Sequence, residues 1–169
     1  MTTFIPGAVY VTRGDPLWLP TLGTVAGQFI GRDPRNARAT HAMIAVSTHD
    51  VMDLGPDNHG NGVDVYELCP GSGDWYRAIV PPLTDRLDIV AAAWAMHRAI
   101  HAGDADIRFT YRACAAALIG RPPRPNEMAC STFAAHIAAI AGVDLIPGCP
   151  WYAVTPADIA RRATTGSDF

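Results

Sequence analysis

Three side chains of this chain have the types and spacing of a nucleophilic catalyst: Cys130, His41 and Asp53. Cys130 opens an apolar run, Cys-Ser-Thr-Phe-Ala-Ala-His-Ile-Ala-Ala-Ile-Ala-Gly over 130–142, that reads as a helix. A thiol at a helix N-terminus lies against unpaired backbone N–H groups and the positive end of the helix dipole. Both favour the thiolate, which is the attacking species. Such a nucleophile needs a group that takes and returns a proton, and His is the side chain that titrates nearest neutral pH. His41 opens the segment Thr-His-Ala-Met-Ile-Ala-Val-Ser (40–47), and Asp53 follows twelve residues later in Val-Met-Asp-Leu (51–54). If a hairpin joins the two segments, the Asp53 carboxylate lies beside the ring and holds it in one tautomer. The chemistry these groups could do is attack on a carbonyl, with a thioester on Cys130 that water or another acceptor then takes.

Each candidate also has a plainer reading. A cysteine in an apolar helix is usually a small buried hydrophobe. For Cys114, inside Tyr-Arg-Ala-Cys-Ala-Ala-Ala-Leu, that reading prevails, and Cys69 and Cys149 stand beside prolines in turn-like contexts. Cys130 differs because it begins its helix. His49 is a rival orienting group but falls in the expected turn at 47–50. His97 and His101 share a helical face four residues apart, a metal-binding spacing, yet no Glu stands between them in the zinc-protease pattern and a solvated helix end is the better account. His136 is six residues past Cys130, on another face of the helix. Arg32, Arg35 and Arg38 precede His41 and could meet an acidic substrate, but such runs are commonly solvated loops.

The elements that must position these residues fall into two halves. Ala8 to Thr12, the His41 and Asp53 segments, Val63 to Leu68 and Tyr76 to Val80 read as about five short strands. Tight connections favour antiparallel pairing. Gly55 to Gly62 is dense in turn formers, and Leu17 to Ile30 reads as a loop with a short helix. The second half has helical character over 85–101, 107–119 and 130–141, with Gly103, Gly120 and Gly142 as stops. Thr155-Pro156 reads as an N-cap with proline at the first helical position, opening a last short helix. Strands followed by helices make an α+β pattern.

With 169 residues, 49% of them hydrophobic and 17% charged, the chain has the composition of a single globular domain, residues 1–169. A net charge of −3 argues against a general nucleic-acid binder. All 13 basic residues are arginine, which points to a GC-rich genome and not to a mechanism. No apolar run reaches the roughly 20 residues of a membrane span. The first ten residues lack a basic region followed by an apolar stretch, so cytoplasmic synthesis without a signal peptide is expected. The scattered cysteines suggest reduced thiols.

Taken in order, Pro6-Gly7-Ala-Val-Tyr, Thr40-His41-Ala-Met-Ile-Ala-Val, Asp53, Tyr76-Arg77, Phe109-Thr-Tyr111, Ala129-Cys130-Ser-Thr-Phe and Val154-Thr155-Pro156-Ala-Asp158 resemble the circularly permuted branch of the NlpC-type papain-like cysteine peptidases and amidases. The permuted members share the order His, acid, Cys. Gly7-Ala8 stands where Gly-Asp is usual, and Ala129 where an aromatic is frequent. The resemblance implies a papain-like α+β fold with an antiparallel sheet of five to six strands flanked by helices. It implies that Cys130 attacks, that His41 is base and then acid, and that Asp53 orients the ring, with no cofactor or metal. The Cys130 backbone N–H would be one oxyanion donor. The implied reaction is cleavage of an amide bond in a peptide or acyl-containing substrate, foremost a peptidoglycan peptide. Alternatives are a thiol acyltransferase or lipid esterase, with Leu17, Trp18 and Leu19 lining an apolar channel, or a non-catalytic particle-associated module. A wall substrate would require export by a phage particle, lysis or a secretion machine.

Overall fold

In the computed structural model, residues 3–13, 24–28, 35–56, 62–68, 75–163 and 165–168 are described. Five short strands form an antiparallel sheet in the order β4-β3-β2-β1-β5: β1 Val9–Thr12, β2 His41–Ala45, β3 Asp50–Leu54, β4 Val63–Glu67 and β5 Trp75–Ile79. A further strand, Thr165–Asp168, adds antiparallel to the outer edge of β5; it is β8 in chain order. The β2–β3 hairpin turns over 46–49 as its sequence suggests. The Ser47 hydroxyl accepts the N–H groups of His49 and Asp50 and donates to the Asp50 carboxylate at 2.7 Å.

Side chains alternate across a strand, so the sheet has two different faces. Val9, Val11, Ala42, Ile44, Met52, Leu54 and Val63 point into the main core under the helices. Tyr10, Met43, Ala45, Val51 and Tyr76 point the other way and pack with Phe4 in a smaller cluster. There the Phe4 ring meets Tyr10 edge-on at 4.9 Å between centroids.

The helices that pack with the sheet are α1 Leu83–Ala102, α2 Tyr111–Leu118, α3 Cys130–Ile140 and α4 Pro156–Arg162; residues 24–28 are also helical, within the 17–30 segment expected to hold a short helix, and Trp151–Ala153 make a 3-10 turn. The 107–119 segment is not helical throughout. Arg108–Phe109 (β6) pairs parallel with Glu127–Met128 (β7), and the helix starts only after Thr110, whose hydroxyl caps it by accepting the Ala113 N–H at 3.1 Å. Helix α3 is buried nearly all round, from Cys130 through Ala138 apart from His136, as its apolar composition requires. It packs on β2 and β3 from one side and on α1 from the other. Phe133 and Ile137 are among the largest fully buried side chains, each worth about 1.5–3 kcal/mol of burial.

Gly7 lets the start of α1 lie against the chain entering β1. Its φ is +79°, and a Cβ there would stand 2.3 Å from the Arg86 carbonyl oxygen. No larger residue fits without moving one of the two segments.

Candidate active site

His41 is the first residue of β2. Met43 is paired with Asp53 across the β2–β3 ladder, so His41, two residues before Met43, is the diagonal neighbour of Asp53 on the same face. That register brings His41 Nε2 to 2.5 Å from Asp53 Oδ2. Since a carboxylate oxygen only accepts, Nε2 carries the proton of this bond and Nδ1 is left for another partner. The Asp53 side chain is 5% exposed and the His41 side chain 28%, so the bond is shielded but the ring keeps an open edge.

Cys130 reaches the ring from the opposite layer. It lies in the core between sheet and helices and is buried. Standing at the start of α3, it lies close enough to the His41 side chain, at the start of β2, to act on the charge of the ring. Burial works against a charged ring and is the largest single influence on His41. The nearby Cys130 sulfur and the hydrogen-bonded Asp53 carboxylate together outweigh it, and the ring's pKa is pushed up to about 10. The arrangement holds an imidazolium between a sulfur and a carboxylate.

The start of α3 is fixed by its neighbours. Thr132 Oγ1 accepts the Ala129 N–H at 2.9 Å and donates to the Ala129 carbonyl at 3.0 Å. The Ser131 hydroxyl donates to the Val154 carbonyl at 2.8 Å, tying the turn that carries Cys130 to the entry of α4. There the expected cap is present: Asp158 Oδ2 accepts the Thr155 N–H and hydroxyl, and Thr155 Oγ1 accepts the Asp158 N–H. The first N–H groups of α3, that of Cys130 among them, have no carbonyl within the helix to bond.

Two further residues belong to the site's framework and were not singled out by sequence. Tyr66, on β4, donates its hydroxyl to Asp53 Oδ2 at 2.9 Å. The period-two pattern of 63–67 puts Tyr66 on the Asp53 face once β4 pairs with β3, so a signal for it existed. Gln28 is fully buried; its amide nitrogen donates to the carbonyls of Ala37 and Ala39, just before β2. Nothing local in the sequence marks it.

The other candidates separate from the triad. His49 lies in the hairpin bend. His136 packs against Trp151, at 4.5 Å between ring centroids, and burial lowers its pKa. His97 and His101 stack on each other at 4.0 Å, and His101 Nδ1 bonds the His97 carbonyl. Among the described residues no group of three or more His, Cys, Asp or Glu side chains could hold a metal ion. Arg35 and Arg38 are exposed; Arg32, Cys69, Leu17, Trp18 and Leu19 lie outside the described residues. Among the described residues no helix is long and apolar enough to cross a membrane.

Hollows among the described residues lie beside α3 and the sheet. The larger, about 470 Å³, lies behind α3 between Ala139, Val143, Leu145 and Trp151 and touches none of the three catalytic candidates. The smaller, about 190 Å³, is walled by His41 itself with Thr12, Arg13, Met43, Tyr66 and Tyr76. The second adjoins His41. No family model, no curated protein and no solved structure matches this chain.

Proposed function

We propose that this chain is a cysteine hydrolase that cleaves an amide bond through a thioester on Cys130. The observation that carries the reading is the convergence of Cys130 and the Asp53 carboxylate on the two sides of the His41 ring.

In this mechanism the Cys130 thiolate attacks the amide carbon and the carbonyl oxygen takes up the negative charge beside the start of α3. His41 gives its Nδ1 proton to the departing nitrogen, the C–N bond breaks and the amine leaves. Neutral His41 then takes a proton from water, the hydroxide attacks the thioester carbon, and the C–S bond breaks to return the thiolate and imidazolium. Asp53 stays ionised throughout and holds the ring.

The substrate we propose is a peptide, with a peptidoglycan peptide first by the resemblance of the His, Asp, Cys order and its flanking motifs. The hollow against His41 favours this over an esterase of long acyl chains, because Thr12, Arg13, Tyr66 and Tyr76 make its wall polar and its volume is small. A non-catalytic module has no need of a buried thiol beside a charged ring.

The test is turnover by the wild type and Cys130→Ala on muropeptides, isopeptides and acyl esters, with mass spectrometry for a covalent adduct. Amine release from muropeptides by the wild type alone, with an acyl adduct on Cys130, is expected. Turnover that survives in Cys130→Ala overturns the mechanism, and cleavage of acyl esters alone overturns the substrate class.

A further inference from the structure

We propose that Tyr66 is a positioning residue of this site, its hydroxyl holding the Asp53 carboxylate in the rotamer that presents Oδ2 to His41. The inference rests on the reading of Cys130 as an activated nucleophile and adds a fourth side chain to it.

The sheet register makes the case. Asp53 is paired directly with Asp64 across the β3–β4 ladder. Like charges directly opposite one another are unfavourable, so this position drives the Asp53 carboxylate away from Asp64 unless other groups hold it. Two groups do. His41 reaches Oδ2 diagonally from β2 and Tyr66 reaches the same oxygen diagonally from β4, at 2.5 and 2.9 Å. One oxygen thus takes a donor from each neighbouring strand, and the carboxylate cannot rotate without losing both bonds.

Burial of the Tyr66 hydroxyl and the adjacent Asp53 charge push its pKa above the ordinary tyrosine value, which favours the donor form. The hydroxyl points inward while the residue as a whole is 37% exposed and belongs to neither core cluster. Removing one oxygen in Tyr66→Phe therefore takes away the bond and leaves packing nearly as it was. Tyr66 touches no reacting atom; it acts through Asp53.

Iodoacetamide alkylation of Cys130 at pH 7 tests this without any knowledge of the substrate. The rate is measured by peptide mass spectrometry in the wild type, Tyr66→Phe, Asp53→Asn and the double variant. Tyr66→Phe should slow alkylation by about fivefold, since a bond to a charged acceptor is stronger than one between neutral groups. In the Asp53→Asn background the same substitution should change the rate by less than about twofold, the signature of two groups acting as one unit. A wild-type rate in Tyr66→Phe, or a fivefold loss repeated in the double variant, overturns the role of Tyr66 while leaving the hydrolase reading intact. A wild-type Cys130 no faster than Cys114 overturns the hydrolase reading, and the role of Tyr66 falls with it.

Discussion

The side-chain oxygen of Gln28 accepts the backbone N–H of Ala157 at 2.7 Å, joining residues 129 apart in the chain. The nitrogen of the same amide donates to the carbonyls of Ala37 and Ala39. One buried side chain thus fastens the approach to His41 to the first turn of α4, while the Ser131–Val154 bond fastens the start of α3 to the residues before that turn. His41 and Cys130 are tied to a common anchor.

Gln28→Ala should therefore cost more than an ordinary buried substitution. It leaves a buried N–H and two carbonyls without this partner, at about 1–3 kcal/mol for each group left unpaired. A stability loss of about 3 kcal/mol or more is expected by urea denaturation, together with slower alkylation of Cys130. Gln28→Glu should not rescue it, since a carboxylate cannot donate to the two carbonyls.

Thiol reactivity should divide sharply between two cysteines of the same core. The Cys114 thiol is pushed up to about 12, by burial first and by the charge of Cys130 second. Cys130 has His41 as a partner. Iodoacetamide at pH 7 should label Cys130 at least about tenfold faster than Cys114, because the thiolate is the reactive form. Equal rates would count against an activated Cys130.

The His41 ring gives a pH dependence of definite sign. Its pKa is raised from the ordinary value of 6.5 to about 10. The native state therefore holds a proton that the unfolded chain releases over that interval, and the stability this contributes is complete below about 6.5 and is lost as pH rises through about 10. Unfolding measured against pH should show the gap between the wild type and Asp53→Asn narrowing on the alkaline side. Turnover should fall over the same range as the imidazolium loses its proton.

Asp53→Asn should lower turnover by about 10²–10⁴ with little change in KM, because the amide no longer stabilises the imidazolium and can select the wrong tautomer. His49→Ala should stay within about twofold of the wild type, its place being the bend and not the relay. Paired kcat and KM measurements on the two variants decide which residue orients the ring. A dead His49→Ala beside an active Asp53→Asn would reassign the third member of the site.

Much of this arrangement was legible because it depends on period and order. The alternation of 40–47 and 51–54 about a short turn fixed the His41–Asp53 diagonal, and an apolar run with Cys130 at its head fixed the helix over the sheet. The cap at Thr155 was visible because Thr, Pro and Asp each occupy the position their chemistry requires. Other features depend on distant partners. Residues 107–110 are Ile-Arg-Phe-Thr, mostly strand formers, and only the pairing of Arg108 and Phe109 with a strand 19 residues on separates them from the helix that follows. Gln28 looks like any surface glutamine until residues 37–39 and 157 are brought around it. Tyr66 stood in plain alternation, but its meaning depends on which strand lies next to β4.

The diagonal from His41 to Asp53 also makes the site a gauge of how the sheet was assembled. A strand that pairs one residue out of step turns each of its side chains to the opposite face. A β2–β3 hairpin closed in that slipped alignment would carry His41 toward the helices and leave Asp53 behind, while its apolar residues could still find partly buried places. Such molecules would have nearly the right mass, compactness and strand content, yet their Cys130 would lack a charged neighbour. The fast fraction in a thiol titration would therefore count the molecules whose hairpin closed in the native alignment.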